Sequence, residues 1–262
     1  MAIVLRRASQ LAAPLLAAGA LTGCGSSASS APSTSTAAAA GPSLAASPAR
    51  TAGAGTARFT MKVAGTLGSG IVTTYANGAL SFGQRRLHVY KLVPGNPFPQ
   101  EQIVDGPWTY ANGNVQQAMA DSRVRPWTKL DTRQLPPSQR RLEDLDHVRA
   151  LAYLAAGAES ARLVGTSGAL THFRGRVDPD RVVASAPRAE QPTLRQVLRT
   201  DYTSRPFPAD FWLDRSSRLR RVRVSYATPK GGRITVDGGF SGFGRPVDVK
   251  PPPADALVDI TP

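Results

Sequence analysis

Cysteine is all but missing from this chain. Cys24 is the only one, so no internal disulfide can form and a folded state must be held by a packed core. Histidine is nearly as scarce. His88, His147 and His172 fall on different predicted elements, and none has the spacing of a metal-binding pair such as H-x-x-x-H. Gly65, Gly68 and Gly70 lack the strand-to-helix setting of a phosphate loop. No Gly-x-Ser-x-Gly elbow occurs; Gly239-Phe240-Ser241-Gly242 approaches it, but its second glycine comes one residue too early. Asp144 and Asp146 stand two apart on a predicted helix, so they point to different faces and make no carboxylate pair there. The sequence therefore names no metal, no cofactor and no catalytic residue, and reads as a non-enzyme. Acidic residues are also in short supply, 18 against 32 Lys and Arg, for a formal net charge of +14.

Long apolar runs are absent but for one near the start. Arg6 and Arg7 are followed by an apolar run at 8–21, rich in Leu and Ala and interrupted by Pro14. It is short of the roughly 20 residues a spanning helix needs and has the size of a signal-peptide core. It ends in Leu21-Thr22-Gly23-Cys24. This pattern resembles the bacterial lipobox, whose cysteine takes a diacylglyceryl group before cleavage leaves it as the first residue. Residues 1–23 are then the signal peptide and Cys24 the lipid attachment site. Two or more acyl chains suffice for durable anchoring, so the expected location is the extracytoplasmic side of the cell membrane. Residues 25–55 are nearly all Ser, Ala, Thr, Gly and Pro, with Arg50 the only charge. With Cys24 they read as a flexible tether (24–55) spanning roughly 30 Å r.m.s.. Residues 56–262 are enough for a single globular domain that buries about 70% of its unfolded surface. Export argues against nucleic acid as a partner, and the basic balance then points to anionic headgroups, polymers or glycolipids.

Alternation of period two dominates the domain. Phe59-Thr60-Met61-Lys62-Val63 reads as a half-buried strand, and 71–80, 86–93, 103–105, 108–110 and 126–130 follow as strands. The pairs Asp105-Gly106 and Asn112-Gly113 signal turns. Over 139–158 the spacing of Leu142, Leu145, Val148, Leu151, Ala152 and Ala155 predicts a helix, and 193–200 predicts a shorter one. Strands return at 162–177, as one broken strand or a hairpin, then at 211–214, 219–226 and 233–240. Strands, central helices and strands again imply an α+β fold with an antiparallel sheet and helices on one side.

The features occur in a characteristic order. The lipobox and tether precede the Val63-Ala64-Gly65 strand, the aromatic hairpin and Trp127-Thr128-Lys129-Leu130-Asp131. The mid-chain helix, Gly165-Thr166 and Thr171-His172-Phe173-Arg174-Gly175-Arg176-Val177-Asp178 come next, then Phe211-Trp212-Leu213-Asp214 and Leu219-Arg220-Arg221-Val222. This order resembles the actinobacterial lipoproteins of the LppX/LprG type, which share the fold of the LolA/LolB carriers. The resemblance implies a strongly curved antiparallel half-barrel with helices packed over its concave side and an apolar cavity between them. It also implies binding and transfer of a lipid or glycolipid, with an envelope transporter or acceptor protein as partner.

The expected cavity lining is the inward set of the alternating runs: Phe59, Met61, Val63, Leu87, Val89, Trp108, Tyr110, Phe211, Leu213, Val222, Val224, Ile234 and Val236. Packing of the same residues directly on the helices is the alternative. It would leave a non-enzymatic interaction module with a closed core. Arg215, Arg218, Arg221 and Arg223 read either as a solvated face or as a stripe that contacts phosphates or anionic glycans.

Overall fold

The computed structural model describes residues 41–262 apart from 68–69, 97, 114–118, 122–123, 137–143, 203–204 and 228–231. The signal peptide, Cys24 and the tether as far as residue 40 lie outside the described residues. So do Gly68, the residues 139–143 that head the expected mid-chain helix, and most of the turn before Gly232.

Alternating residues build twelve strands: β1 (Thr56–Leu67), β2 (Gly70–Ser81), β3 (Arg86–Leu92), β4 (Gln100–Asp105), β5 (Trp108–Ala111), β6 (Trp127–Asp131), β7 (Ala158–Ser167), β8 (Leu170–Val177), β9 (Phe207–Leu213), β10 (Leu219–Ala227), β11 (Arg233–Ser241) and β12 (Leu257–Asp259). They form one sheet in the order β12-β6-β5-β4-β3-β2-β1-β11-β10-β9-β8-β7. Two meanders, β1 to β6 and β7 to β11, are joined where β1 pairs antiparallel with β11. Among the described strands, only β12 runs parallel to its neighbour, β6. The broken-strand or hairpin alternative at 162–177 resolves as a hairpin, with Gly168 at φ +59° in its turn.

The helices α1 (Ser47–Ala52), α2 (Asp144–Tyr153), α3 (Pro179–Ser185) and α4 (Gln191–Asp201) accompany the sheet. α2 and the 3₁₀ turn Leu154–Gly157 lie between β6 and β7, and α3 and α4 between β8 and β9. The α+β class expected from the sequence, an antiparallel sheet with helices packed over one side, is the one the chain adopts. Asp178 caps α3, its carboxylate accepting from the Asp180 and Arg181 backbone N–H groups, with Pro179 at the first helical position.

One face of the sheet is buried under these helices. Alternate residues of β9 (Phe207, Ala209, Phe211, Leu213) and β10 (Val222, Val224, Tyr226) join Leu145, Val148, Leu151, Val182, Val197 and Leu198 in one core. Each such side chain contributes about 1.5–3 kcal/mol by leaving water. The closest approach is at Gly238 on β11, where an added Cβ would lie 2.7 Å from Leu151 Cδ1. Polar ties hold α2 in place. Arg149 Nη2 lies within 2.9 Å of the Ser81, Phe82 and Gln84 carbonyls at the β2–β3 turn. Lys91 on β3 pairs with Asp144 at 2.8 Å.

Residues 41–55, expected to be part of a tether, belong to the folded unit. Residues 41–262 form one compact unit whose core comes entirely from within it, so this is the folding unit. In α1, Ser47 and Thr51 are fully buried, and the Leu219 N–H donates to Thr51 Oγ1 at 2.9 Å. Small residues make the segment look like a linker, but they are also what lets a helix lie close against β10.

Candidate functional site

The two faces of the sheet differ in chemistry, and each carries part of the expected site. On the helix-covered face the register aligns Phe59 with Phe240, Met61 with Gly238, Val63 with Val236 and Gly65 with Ile234. Val236 faces Val224, and Phe211 faces Val222. Phe59, Leu87, Val89, Phe211, Leu213, Val222, Val224 and Val236 are buried in the helix-covered core. Met61, Val63 and Ile234 share that face but are only partly buried. They form a partly exposed apolar strip across β1 and β11. Ile234 pairs with Tyr226, which packs with Tyr202 and Phe207 in a cluster of rings 4.9–6.0 Å apart between centroids. On the same face of β4, Gln102 Oε1 is buried with no hydrogen-bond partner among the described residues.

Trp108 and Tyr110 do not belong to this face. Val104 faces both Leu87 and Thr109, whereas Ile103 faces both His88 and Tyr110. The two aromatics therefore lie on the outer side, where the Lys129 ammonium sits 3.9 Å above the Trp108 ring. The misplacement has a physical cause: β4 buries both Ile103 and Val104, so hydrophobicity does not set its phase. The turn does. A two-residue loop at Gly106-Pro107 puts Trp108 opposite Asp105, and a carboxylate marks the outer face.

The outer face bears a continuous register line. Lys62 faces Asp237, Asp237 faces Arg223, Arg223 faces Asp210, Asp210 faces Arg174 and Arg174 faces Arg162. At the other end Lys62 faces Tyr75, and Tyr75 faces Leu92. The neighbouring line holds Gly239, Arg221, Trp212 and His172. Arg221 grips Asp237 through two nitrogens at 2.8 and 2.5 Å. Trp212 is flanked by the His172 ring, stacked at 4.4 Å, and by the Arg221 guanidinium at 4.9 Å. Asp210 receives His172 Nε2 at 2.7 Å and Arg174 Nε at 2.8 Å. Burial pushes the Asp210 carboxyl up, but these hydrogen bonds outweigh it and hold its pKa below the ordinary carboxylate value.

A groove of about 550 Å³ opens on this face between Lys62 and Tyr75 on one wall and Arg220 and Arg221 on the other. Gly239 makes its floor. Having no side chain there leaves the gap, since a Cβ would come within 3.3 Å of Thr60 Oγ1.

The expected arginine stripe separates into unlike parts. Arg215 and Arg218 belong to the β9–β10 turn, where Asp214 accepts from the Ser216 and Arg218 N–H groups and pairs with the Arg218 side chain at 2.8 Å. Arg221 is committed to Asp237. Arg223 is exposed and has no ion-pair partner among the described residues. Lys62, Tyr75 and Gly239, which the sequence reading assigned to no site, complete the groove. Their signal was the alternation itself, since the polar members of each strand must share the face opposite the core. Among the described residues no helix is long and apolar enough to cross a membrane.

No family model and no curated protein matches the chain. Among solved structures, it is similar to an uncharacterized conserved protein from Thermus thermophilus, at 12% identity over 80% of this chain and 95% of that one, with TM-score 0.35. It is similar to the Pseudomonas aeruginosa MucA/MucB complex structure at 15% identity, over 73% of this chain and 55% of that one, with TM-score 0.27. A LolA superfamily protein, NE2245 from Nitrosomonas europaea, is similar at 11% identity, over 73% of this chain and 89% of that one, with TM-score 0.29. The fold assignment rests on the strand order and register described above.

Proposed function

We propose that this chain is an exported lipoprotein, anchored through acylated Cys24 on the extracytoplasmic side of the cell membrane. Its folded unit binds a lipid or glycolipid by the acyl chain and passes it between envelope acceptors, without catalysis. The observation that supports this reading is the partly exposed apolar strip of Met61, Val63 and Ile234 on the helix-covered face. An acyl chain of about 15 methylenes costs on the order of 12 kcal/mol to expose to water, so unassisted transfer is slow and a carrier must shield the chain. The strip offers apolar contact beside the Tyr226 ring cluster. Displacing α2 from the sheet would lengthen it, and such a movement would break the Lys91–Asp144 pair and the Arg149 hydrogen bonds to the β2–β3 turn.

The test is native mass spectrometry of the 41–262 unit expressed in a lipid-containing host, followed by solvent extraction. A stoichiometric lipid that is lost in a Val63→Trp variant of unchanged circular dichroism is the expected result. A clean apo mass, persisting after incubation with envelope lipids, would overturn the carrier reading. One observation favours the second reading, an interaction module with a closed core: the contact of Leu151 with Gly238 leaves no gap between helix and sheet at that point.

A further inference from the structure

The outer face of the sheet carries its own chemistry, independent of the acyl strip. On the register line from Lys62 to Arg162 both carboxylates are already neutralised. Asp237 is held by Arg221, and Asp210 by Arg174 and His172. Lys62, Arg223 and Arg162 are exposed, with no ion-pair partner among the described residues. At about 4.8 Å per strand these three cations are separated by roughly 10 and 14 Å counted across the strands between them. The row runs directly into exposed apolar side chains on the same face, Tyr75 and Leu92, with Tyr90 beside them. The open groove floored by Gly239 lies beside this junction, with Lys62 and Arg221 in its walls.

We infer that this face docks on an anionic phospholipid bilayer, with a headgroup phosphate seated in the Gly239 groove. Charge complementarity alone would suit any polyanion. The adjoining apolar residues decide between them, because a hydrophilic polymer gains nothing from Tyr75, Tyr90 and Leu92. A bilayer interface takes aromatic and aliphatic side chains at the headgroup level and cations at the phosphates. The strand register fixes both sets on one face, so little order is lost on docking.

The experiment is co-sedimentation of the 41–262 unit with vesicles of phosphatidylcholine, alone or with added phosphatidylglycerol, at low and high salt. Binding to the phosphatidylglycerol vesicles and not to phosphatidylcholine is expected. Each of Lys62→Gln, Arg223→Gln and Arg162→Gln should lower partition about fivefold at low salt. Tyr75→Ser with Leu92→Ser should weaken it further, and that loss should persist at high salt. A control of equal charge change, Arg188, Arg195 and Arg199 each to Gln, should leave partition within twofold, roughly the weak effect of charges away from the surface. If those control substitutions lower partition as far as Lys62→Gln, Arg223→Gln and Arg162→Gln do, net charge and not this face drives binding, and the inference fails. It also fails if heparin is bound as tightly as vesicles with no effect of Tyr75→Ser and Leu92→Ser, which would make the face a polymer site. Val63→Trp separates this inference from the carrier reading, since it blocks acyl uptake and leaves docking intact.

Discussion

Gly238 and Gly239 stand side by side on β11 and serve opposite faces. The first admits Leu151 to the sheet, and the second leaves the floor of the outer groove open. Gly238→Val should therefore lower stability by about 1–3 kcal/mol through overpacking. Thermal unfolding of the double variant with Leu151→Ala should recover part of that loss, and strict additivity would rule out the contact. Gly239→Val should cost less and abolish vesicle binding instead. Asp131 makes a second case. The Arg133 guanidinium grips it at 3.0 and 2.7 Å and holds its carboxyl down to about 2, against 3.8 for an ordinary aspartate. Because the folded value is depressed, this contribution is complete above 3.8 and is lost as pH falls through about 2. The gap in urea midpoint between the chain and Asp131→Asn should be wide at neutral pH and close across that window.

At the level of elements, strands were the most readable part of the chain. Phe59-Thr60-Met61 and Val222-Arg223-Val224 alternate because one side meets helices and the other meets water. Helix α2 was visible in the spacing of Leu145, Val148 and Leu151. What escaped were elements whose stability comes from elsewhere. α1 is six residues long, too short for periodicity, and stands on buried contacts to a strand far along the chain. β12 exists because it adds to β6. α3 did carry a signal, Asp178 followed by Pro179, that went unread. Within the candidate site, apolar faces followed from alternation, while the phases of β4 and β5 depended on turn length and misled the placement of Trp108 and Tyr110. A chain shortened to begin at Thr56 should be less stable than the 41–262 unit, because α1 is lost. Thr51→Val should cost about 1–3 kcal/mol in urea unfolding by leaving the Leu219 N–H buried without an acceptor. No change in either would show that α1 is an appendage.

On the scale of the whole molecule, the sheet divides an excess of positive charge from an apolar core, and the two proposed activities use opposite sides of it. A protein that touches a bilayer with one face and takes up acyl chains on the other would hold its strip away from the membrane while docked. The join between β1 and β11 has a further consequence. These strands are paired across most of their length, yet nearly the whole domain separates them in the chain. Pairings so distant in sequence are slow to close. In a chain made from its amino terminus, the first six strands emerge long before β11 does, and the β1 edge then has no partner. Synthesis would deliver half a sheet with its central seam unsewn, at the moment when an exposed edge is most prone to pair with another chain.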